Sequence, residues 1–535
     1  GDARLAVEYA FKAHDMSRAA DLIELHITEN WQTVDLDFLF FVRRLPMDVI
    51  AERPFLALQS AWVCVVSGQT GGVLPFLEMA ERQLANPNRP PDRNDETNGA
   101  FAKTLRAYLA DLQNEPVQID DSLGEVYAAI PENSTGMRNS VAVMLGTIHY
   151  MEGDFLTAMR YYADALERDK RVEGTNAIPI AVLRIVWALQ KQGRLRQAFT
   201  LVTENEDYVR QRGNRRFYIV GALNLLWGEI LLEWNRLDEA ETQIREGLRL
   251  MEDWPIPQMF CLGYCIFARL LLAQGDADSA RITLAKAEDL HQSHTFHPEF
   301  TNHLEQAQTL LWSAEKNLPA LETFVREWDT RDRSDLRFRY EAHWIELSRA
   351  LLALGRYEDA AEILERLSAS TGERQGSRIT ILTLLTVVFH DRPALAESAL
   401  EEALGLAMPE GYLRTFVEAG ERLRETLNAW VQHRLKRSDD PLRAYAQQIL
   451  LAFGTSPEPS LEDHAAQNLP EPLSQREREV LQFVAEGLTN QQIADRLVIS
   501  IRTVKKHIEN ILGKLAVKNR IQAVARGREL GLLDP

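Results

Sequence analysis

Five times in this chain a polar turn residue is followed, five positions later, by alanine: Gly153/Ala158, Gly193/Ala198, Asn235/Ala240, Gly275/Ala280 and Gly355/Ala360. The turn positions lie 40, 42, 40 and 80 residues apart, so one poorly matching copy is expected inside the last interval. In "LGTIHYMEGDFLTAMRYYADAL" and "SRALLALGRYEDAAEILERL" the apolar residues recur at three- and four-residue spacings on both sides of the turn, which predicts two helices. Glycine or asparagine accepts the left-handed backbone of a tight turn. Alanine lets the two antiparallel helices approach closely. The recurring unit is therefore a helical hairpin that buries its apolar stripe only against its neighbours, and a stack of such units makes an all-α solenoid with a concave face. Weaker copies stand at "AFKAHDMSRAADLIE" (10–24) and "FHDRPALAESALEEAL" (389–404).

The hairpin pattern resembles tetratricopeptide repeats, whose usual period is about 34 residues; the longer period here implies longer helices or extra linking residues. A chain of 535 residues exceeds one core, and its length allows about three or four domain-sized units. The longest apolar runs, such as "ITILTLLTVVF" (379–389), are too short to span a bilayer, and the first residues show no basic leader followed by an apolar core. Three cysteines, Cys64, Cys261 and Cys265, cannot make a disulfide framework, and they suit a reducing cytoplasm.

Other features admit a structural and a functional reading. Cys261 and Cys265 share one helical face, which suits burial at a helix contact or a metal or redox site. Trp187, Trp227, Trp234, Trp254 and Trp344 either fill space between helices or line a ligand groove. His291, His294, His297 and His303 do not fit one helical face, so an inter-repeat loop accounts for them, with metal binding as the alternative. No phosphate loop, nucleophile elbow or paired-histidine metalloprotease motif is present: Gly513-Lys514 has Ile508 where the first glycine of a phosphate loop belongs. The sequence predicts a protein that is not an enzyme.

Near the end the chain changes character. "GTSPEPSLEDHAAQNLPEP" (454–472) is rich in proline and acid and poor in large apolar residues, as linkers are. We place the repeat domain at 1–454, a linker at 455–471 and a C-terminal domain at 472–535. Residues 470–535 hold 11 Lys and Arg against 8 Asp and Glu, whereas the preceding 469 residues hold 49 against 70. A basic module on an acidic body suits a small nucleic-acid binder. Four helices are expected in it: 473–487, opened by a capping box of Ser474 and Glu477; 490–497; 501–515, capped by Ser500; and about 519–530. In the third, Val504, Ile508, Ile511, Leu512 and Leu515 fall on one arc. Arg502, Lys505, Lys506, Glu509 and Gly513 cover the opposite side, and Thr503, His507, Asn510 and Lys514 form a flank. A short helix, a three-residue turn and a longer basic helix make a helix-turn-helix.

The residues "PLSQREREVLQFVAEGLTNQQIADRLVISIRTVKKHIENILGKL" resemble the LuxR-type DNA-binding domain, with matches at Pro472, Arg476, Glu477, Asn490, Thr503, Val504, Lys505, His507, Asn510 and Lys514 among others. That resemblance implies base-edge contacts by Lys505, Lys506 and Glu509. It implies backbone contacts near Thr489, Asn490, Thr503, Asn510 and Lys514, with Arg502 on the same basic face, and a dimer contact from Arg520 through Leu530. The repeats, ending in "EALGLAMPEGYLRTFVEAGERLRETL" (402–427), are similar to the MalT-like, large LuxR-type regulators, in which a nucleotide-binding switch domain precedes the repeats and an inducer binds them. No such ATPase lies in this chain: either its start inside a repeat-like helix marks truncation, the expected case, or the chain is a member of the family without that domain. ATP is accordingly a cofactor only if an upstream domain exists.

The expectation is a cytoplasmic bacterial transcription regulator, an activator, acting as a homodimer or higher oligomer. Its partners would be promoter DNA, RNA polymerase, and a small-molecule effector or regulatory protein on the repeats. The alternative is a repeat scaffold for protein docking that its tail tethers to DNA, without small-molecule sensing.

Overall fold

The structure, a computed structural model, describes residues 3–30, 40–92, 94–113, 115, 117, 121–132, 134–172, 178–212, 217–252, 256–328, 335–433, 440–454, 475–485, 488–497, 501–515, 517 and 519–529. Among these every regular element is helical. The chain divides into two compact units, 1–456 and 457–535; the linker expected at 455–471 lies outside the described residues.

In the first unit the helices pair in sequence order. The opening pairs are α1 (Ala3–Lys12) with α2 (Met16–Asn30), then, after a short α3 (Met47–Ala51), α4 (Pro54–Val66) with α5 (Val73–Leu84), and α6 (Asp95–Leu112) with α7 (Asp121–Ala129). Next come α8 (Thr135–Met151) with α9 (Phe155–Arg171), α10 (Ile178–Lys191) with α11 (Leu195–Arg210), and α12 (Phe217–Glu233) with α13 (Leu237–Leu250). The series continues with α14 (Pro257–Ala273) and α15 (Ala277–Ser293), α16 (Pro298–Ala314) and α17 (Leu318–Trp328), α18 (Glu341–Ala353) and α19 (Tyr357–Ser370), and α20 (Gln375–Val388) and α21 (Pro393–Ala407). Three more helices, α22 (Arg414–Val417), α23 (Glu421–His433) and α24 (Pro441–Phe453), end the unit.

The turns behave as their residue types require. Gly153, Gly193, Asn235, Gly275 and Gly355 all have positive φ, between 56° and 82°. The N–H of the following residue then reaches a carbonyl five positions back, as in Asp154 to His149 at 2.9 Å and Arg194 to Leu189 at 2.8 Å, which satisfies a carbonyl the ended helix leaves over. Where that following residue is Asp154 or Asp276, its carboxylate caps the next helix through Thr157 N or Ser279 N. The paired alanines, Ala158, Ala198, Ala240, Ala280 and Ala360, are all fully buried. The copy missing from the eighty-residue interval turns at Lys316, with φ 55° and buried Leu321 in place of alanine. The first weak copy turns at His14, φ 57°, ahead of buried Ala19. A further copy at Gly68, φ 69°, precedes Val73 and was not visible as a repeat, because valine stands at the diagnostic position.

The hairpins coil tightly enough for the first unit to close upon itself. Thr295 N donates to Gly68 O at 2.8 Å, Leu413 N to Glu233 O at 3.1 Å, and Trp234 Nε1 to Glu410 O at 2.9 Å. Gly376 sits so near α10 that a Cβ there would lie 1.9 Å from Gln190 O. Later hairpins thus touch earlier ones, and charged side chains far apart in the chain meet between them. Arg339 donates to Asp111 at 2.6 Å and to Glu152 at 2.9 Å; Arg269 reaches both oxygens of Glu418 at 3.2 Å; Tyr150 donates to Glu299 at 3.1 Å.

The residues left with two readings fall mostly into packing roles. Cys261 and Cys265 are free and fully buried on α14, and Trp344 is buried. Trp227 and Trp234 pack at the rim of the core, while Trp254 lies outside the described residues. His291 and His294 lie beside Phe296, whereas His297 and His303 are buried in the polar interior. Among the described residues no group of three or more His, Cys, Asp or Glu could hold a metal, and no helix is long and apolar enough to cross a membrane.

Candidate nucleic-acid interface

The second unit is a small bundle of α25 (Gln475–Ala485), α26 (Asn490–Leu497), α27 (Ile501–Lys514) and α28 (Arg520–Glu529). Its core is Val480, Leu481 and Val484 from α25, Ile493 and Ala494 from α26, Val504 and Ile511 from α27, Leu515, and Ala523 from α28. Ile508 and Leu512 pack against it partly buried. The aliphatic arc expected on the third helix therefore faces inward. A stripe this narrow on a fourteen-residue helix leaves the opposite face to water. Lys505, Lys506, Asn510 and Gly513 are exposed there, and His507 is half-buried.

Thr489 and Asn490 stand at the start of α26. Thr489 is exposed, and its N–H and hydroxyl both donate to Gln492 Oε1, at 2.9 and 3.0 Å, while Gln492 N donates back to the hydroxyl at 3.3 Å. This reciprocal cap fixes where the short helix starts. Its sequence sign is Thr-x-x-Gln at 489–492. Arg520 Nη2 donates to Leu488 O at 2.8 Å and so ties the start of α28 to the same turn.

Glu477 and Lys514 are also paired with each other within the bundle. Glu477 is 3% exposed, and its Oε2 accepts from Lys514 Nζ at 2.9 Å. The Lys514 ammonium thus joins α25 to the end of α27. The reason is geometric: Lys514 lies on the flank of the third helix, and that flank borders α25. Replacing Lys514 by Met should cost about 1–3 kcal/mol, because the buried Glu477 carboxylate would lose one of its charged partners. Amide exchange in α25 and α27 should speed up accordingly; unchanged protection would reduce the pair to a surface contact. Ser474, Gly487 and Ser500, expected at helix ends, lie outside the described residues, as do the side chains of Arg502, Thr503 and Glu509.

Exposed Lys505 and Lys506 are adjacent in the second turn of α27. The flank next to them includes exposed Asn510, an amide able to donate and accept. A helix with its apolar side packed and its cationic side open is suited to a polyanion with a helix-wide groove.

Residues 100–433 match the family described as MalT-like TPR region, and residues 471–526 match bacterial regulatory proteins, luxR family. The chain is 26% identical to the "HTH-type transcriptional regulator MalT" of Serratia proteamaculans, over 98% of this chain and 59% of that protein. It is 25% identical to the protein of the same description from Yersinia enterocolitica, over 98% of this chain and 60% of that one. It spans about three-fifths of the length of these curated relatives. Among solved structures, a Rap protein complexed with competence and sporulation factor aligns at 11% identity over 76% of this chain and 98% of that one, with TM-score 0.39.

Proposed function

The chain belongs to the MalT-like TPR family, and from that premise we propose that it is a DNA-binding transcriptional regulator. The observation that carries the reading is the exposed Lys505–Lys506 pair on α27, opposite the buried Val504, Ile511 and Leu515. In this reading α27 enters the major groove, Lys505, Lys506 and Glu509 meet base edges, and Thr489, Asn490, Arg502, Thr503 and Asn510 meet phosphates. Lys514, which also pairs with Glu477 in the bundle, meets phosphate beside them. The repeat unit senses an effector or a partner protein and sets how two tails are presented, so that pairing raises their effective concentration on two half-sites. A cytoplasmic setting, an activating role, contact with RNA polymerase and self-association complete the proposal. None of these roles calls on catalysis or on a cofactor held by this chain.

The test is selection of a preferred duplex from a randomised pool by the full chain, followed by titration of variants. Lys506→Ala should weaken binding to the selected duplex by about 1–3 kcal/mol with little effect on random DNA. Lys505→Ala should do the same if both reach bases. An equal loss on both duplexes would make Lys506 a phosphate contact, and no loss on either would remove α27 from the interface.

A further inference from the structure

We propose that the interior of the repeat unit is a binding site for a small zwitterion, a molecule of amino-acid size carrying both an ammonium and a carboxylate. The proposal rests on the regulator reading, in which this molecule is the effector the repeats sense.

A cavity of about 170 Å³ lies where α10, α12, α14, α16, α18 and α20 converge; roughly 150 Å³ is enough for a benzene-sized guest. Four side chains on its wall hold a polar atom with no hydrogen-bond partner: Glu229 Oε2, Asn302 Oδ1, Trp187 Nε1 and Arg269 Nε. All four residues are more than nine-tenths buried, at 7%, 7%, 2% and 7% exposure. Leaving such groups dry is costly, and most so for the carboxylate. The set is two acceptors and two donors, so a guest that satisfies it must both donate and accept.

The charges narrow the guest further. Four carboxylates line the wall, those of Glu229, Glu233, Glu299 and Glu346, against Lys191, Arg269 and His303. His303 sets Nδ1 against Glu299 O at 2.7 Å and Nε2 against Glu229 Oε1 at 3.1 Å, so both ring nitrogens face acceptors. Burial opposes its charge, but the Glu229 carboxylate outweighs burial and raises its pKa. Burial, reinforced by the charge of Glu418, pushes the Glu233 carboxyl up to about 7, so it carries only part of a charge at neutrality. Behind the wall Arg269 is matched by Glu418, and Glu346 by Arg349 at 3.1 Å. Fixed charges of both signs thus come close to balance. A guest with net charge would upset that balance. A neutral polyol would make hydrogen bonds charged on the protein's side alone, forgoing those in which both partners are ionised. A zwitterion keeps the balance and makes them: its ammonium meets Glu229 Oε2 and Asn302 Oδ1, and its carboxylate meets Trp187 Nε1 and the cationic side.

The experiment uses the full chain, with each standard L-amino acid as a probe in thermal-shift and calorimetric titration, and with glucose and putrescine as polyol and dication controls. At least one amino acid should bind one-to-one and raise the melting temperature, with both controls weaker. Glu229→Gln should lower that affinity about tenfold or more while leaving the helix signal intact. If that variant fails to fold, Trp187→Phe, which keeps the ring and removes the donor, should show the loss. Absence of binding by every amino acid, tighter binding of glucose or putrescine, or full affinity in a folded Glu229→Gln variant overturns the proposal. Binding to the selected duplex is measured in parallel. DNA binding without amino-acid binding removes the zwitterion site alone, and failure on DNA removes the regulator reading whatever the cavity holds.

Discussion

Replacing Arg339 by Leu is expected to cost about 3–5 kcal/mol of folding stability, the range for removing one partner of a buried ion pair. Arg339 stands just before α18, and its guanidinium is 1% exposed between Asp111, itself 0% exposed at the end of α6, and Glu152 at the end of α8. These partners lie 228 and 187 positions away in the chain, so the group joins hairpins that are neighbours only because the unit coils. Burial pushes the Asp111 carboxyl up to about 6 even with Arg339 beside it, so the site stands close to losing its anion. The leucine variant should therefore be most damaged at pH 8 and least near pH 5, where Asp111 takes a proton instead. A double variant, Arg339→Leu with Asp111→Leu, should recover much of the loss, because the dry charge goes with its partner. Urea denaturation followed by circular dichroism reads all three. A single variant within about 1 kcal/mol of the parent at pH 8 would mean that water reaches the pair and that the coil is held elsewhere.

What was legible in the sequence and what was not separate along the same line. The turns could be read because each is set by residues a few positions apart: a left-handed residue, then an alanine five places on. Lys316 fits the arithmetic of the interval but not the residue type, and Gly68 fits the type but is followed by Val73. On α27 a helical wheel was enough to separate Val504, Ile511 and Leu515 from Lys505 and Lys506, since one helix's own geometry decides that division. The wheel could not say what borders a flank, so the pairing of Lys514 with Glu477 of α25 was not legible there. The interior of the repeat unit was hidden for the same reason at greater range. Glu229 and Arg269 are sparse charges in apolar helices and Arg339 stands in a charged stretch, but in each case the partners stand dozens to hundreds of positions away. Trp187 shows the limit most plainly: packing and ligand lining were posed as alternatives, yet it is buried against Phe300 and also forms part of the cavity wall.

The interior also sets a dependence on pH, and Glu233 should make a large part of it. Its Oε1 accepts from Thr415 N at 3.0 Å, while burial and the neighbouring Glu418 charge push its carboxyl up to about 7. An unfolded glutamate titrates near ~4.3. Between those two values the folded chain holds a proton that the unfolded chain has released. The contribution of Glu233 is thus fully present below pH ~4.3, falls as pH rises through the window, and is gone above about 7. Glu233→Gln supplies a permanent stand-in for the protonated carboxyl and keeps an oxygen for Thr415 N. It should match the parent at pH 4.5 and exceed it by about 1–3 kcal/mol at pH 8, the upper figure being reduced because the side chain is partly in contact with solvent. Denaturation midpoints across this range should converge at the acid end and separate at the alkaline end. Parallel profiles for variant and parent would show that Glu233 titrates as a solvated carboxylate, and that the interior is wetter than its contacts imply.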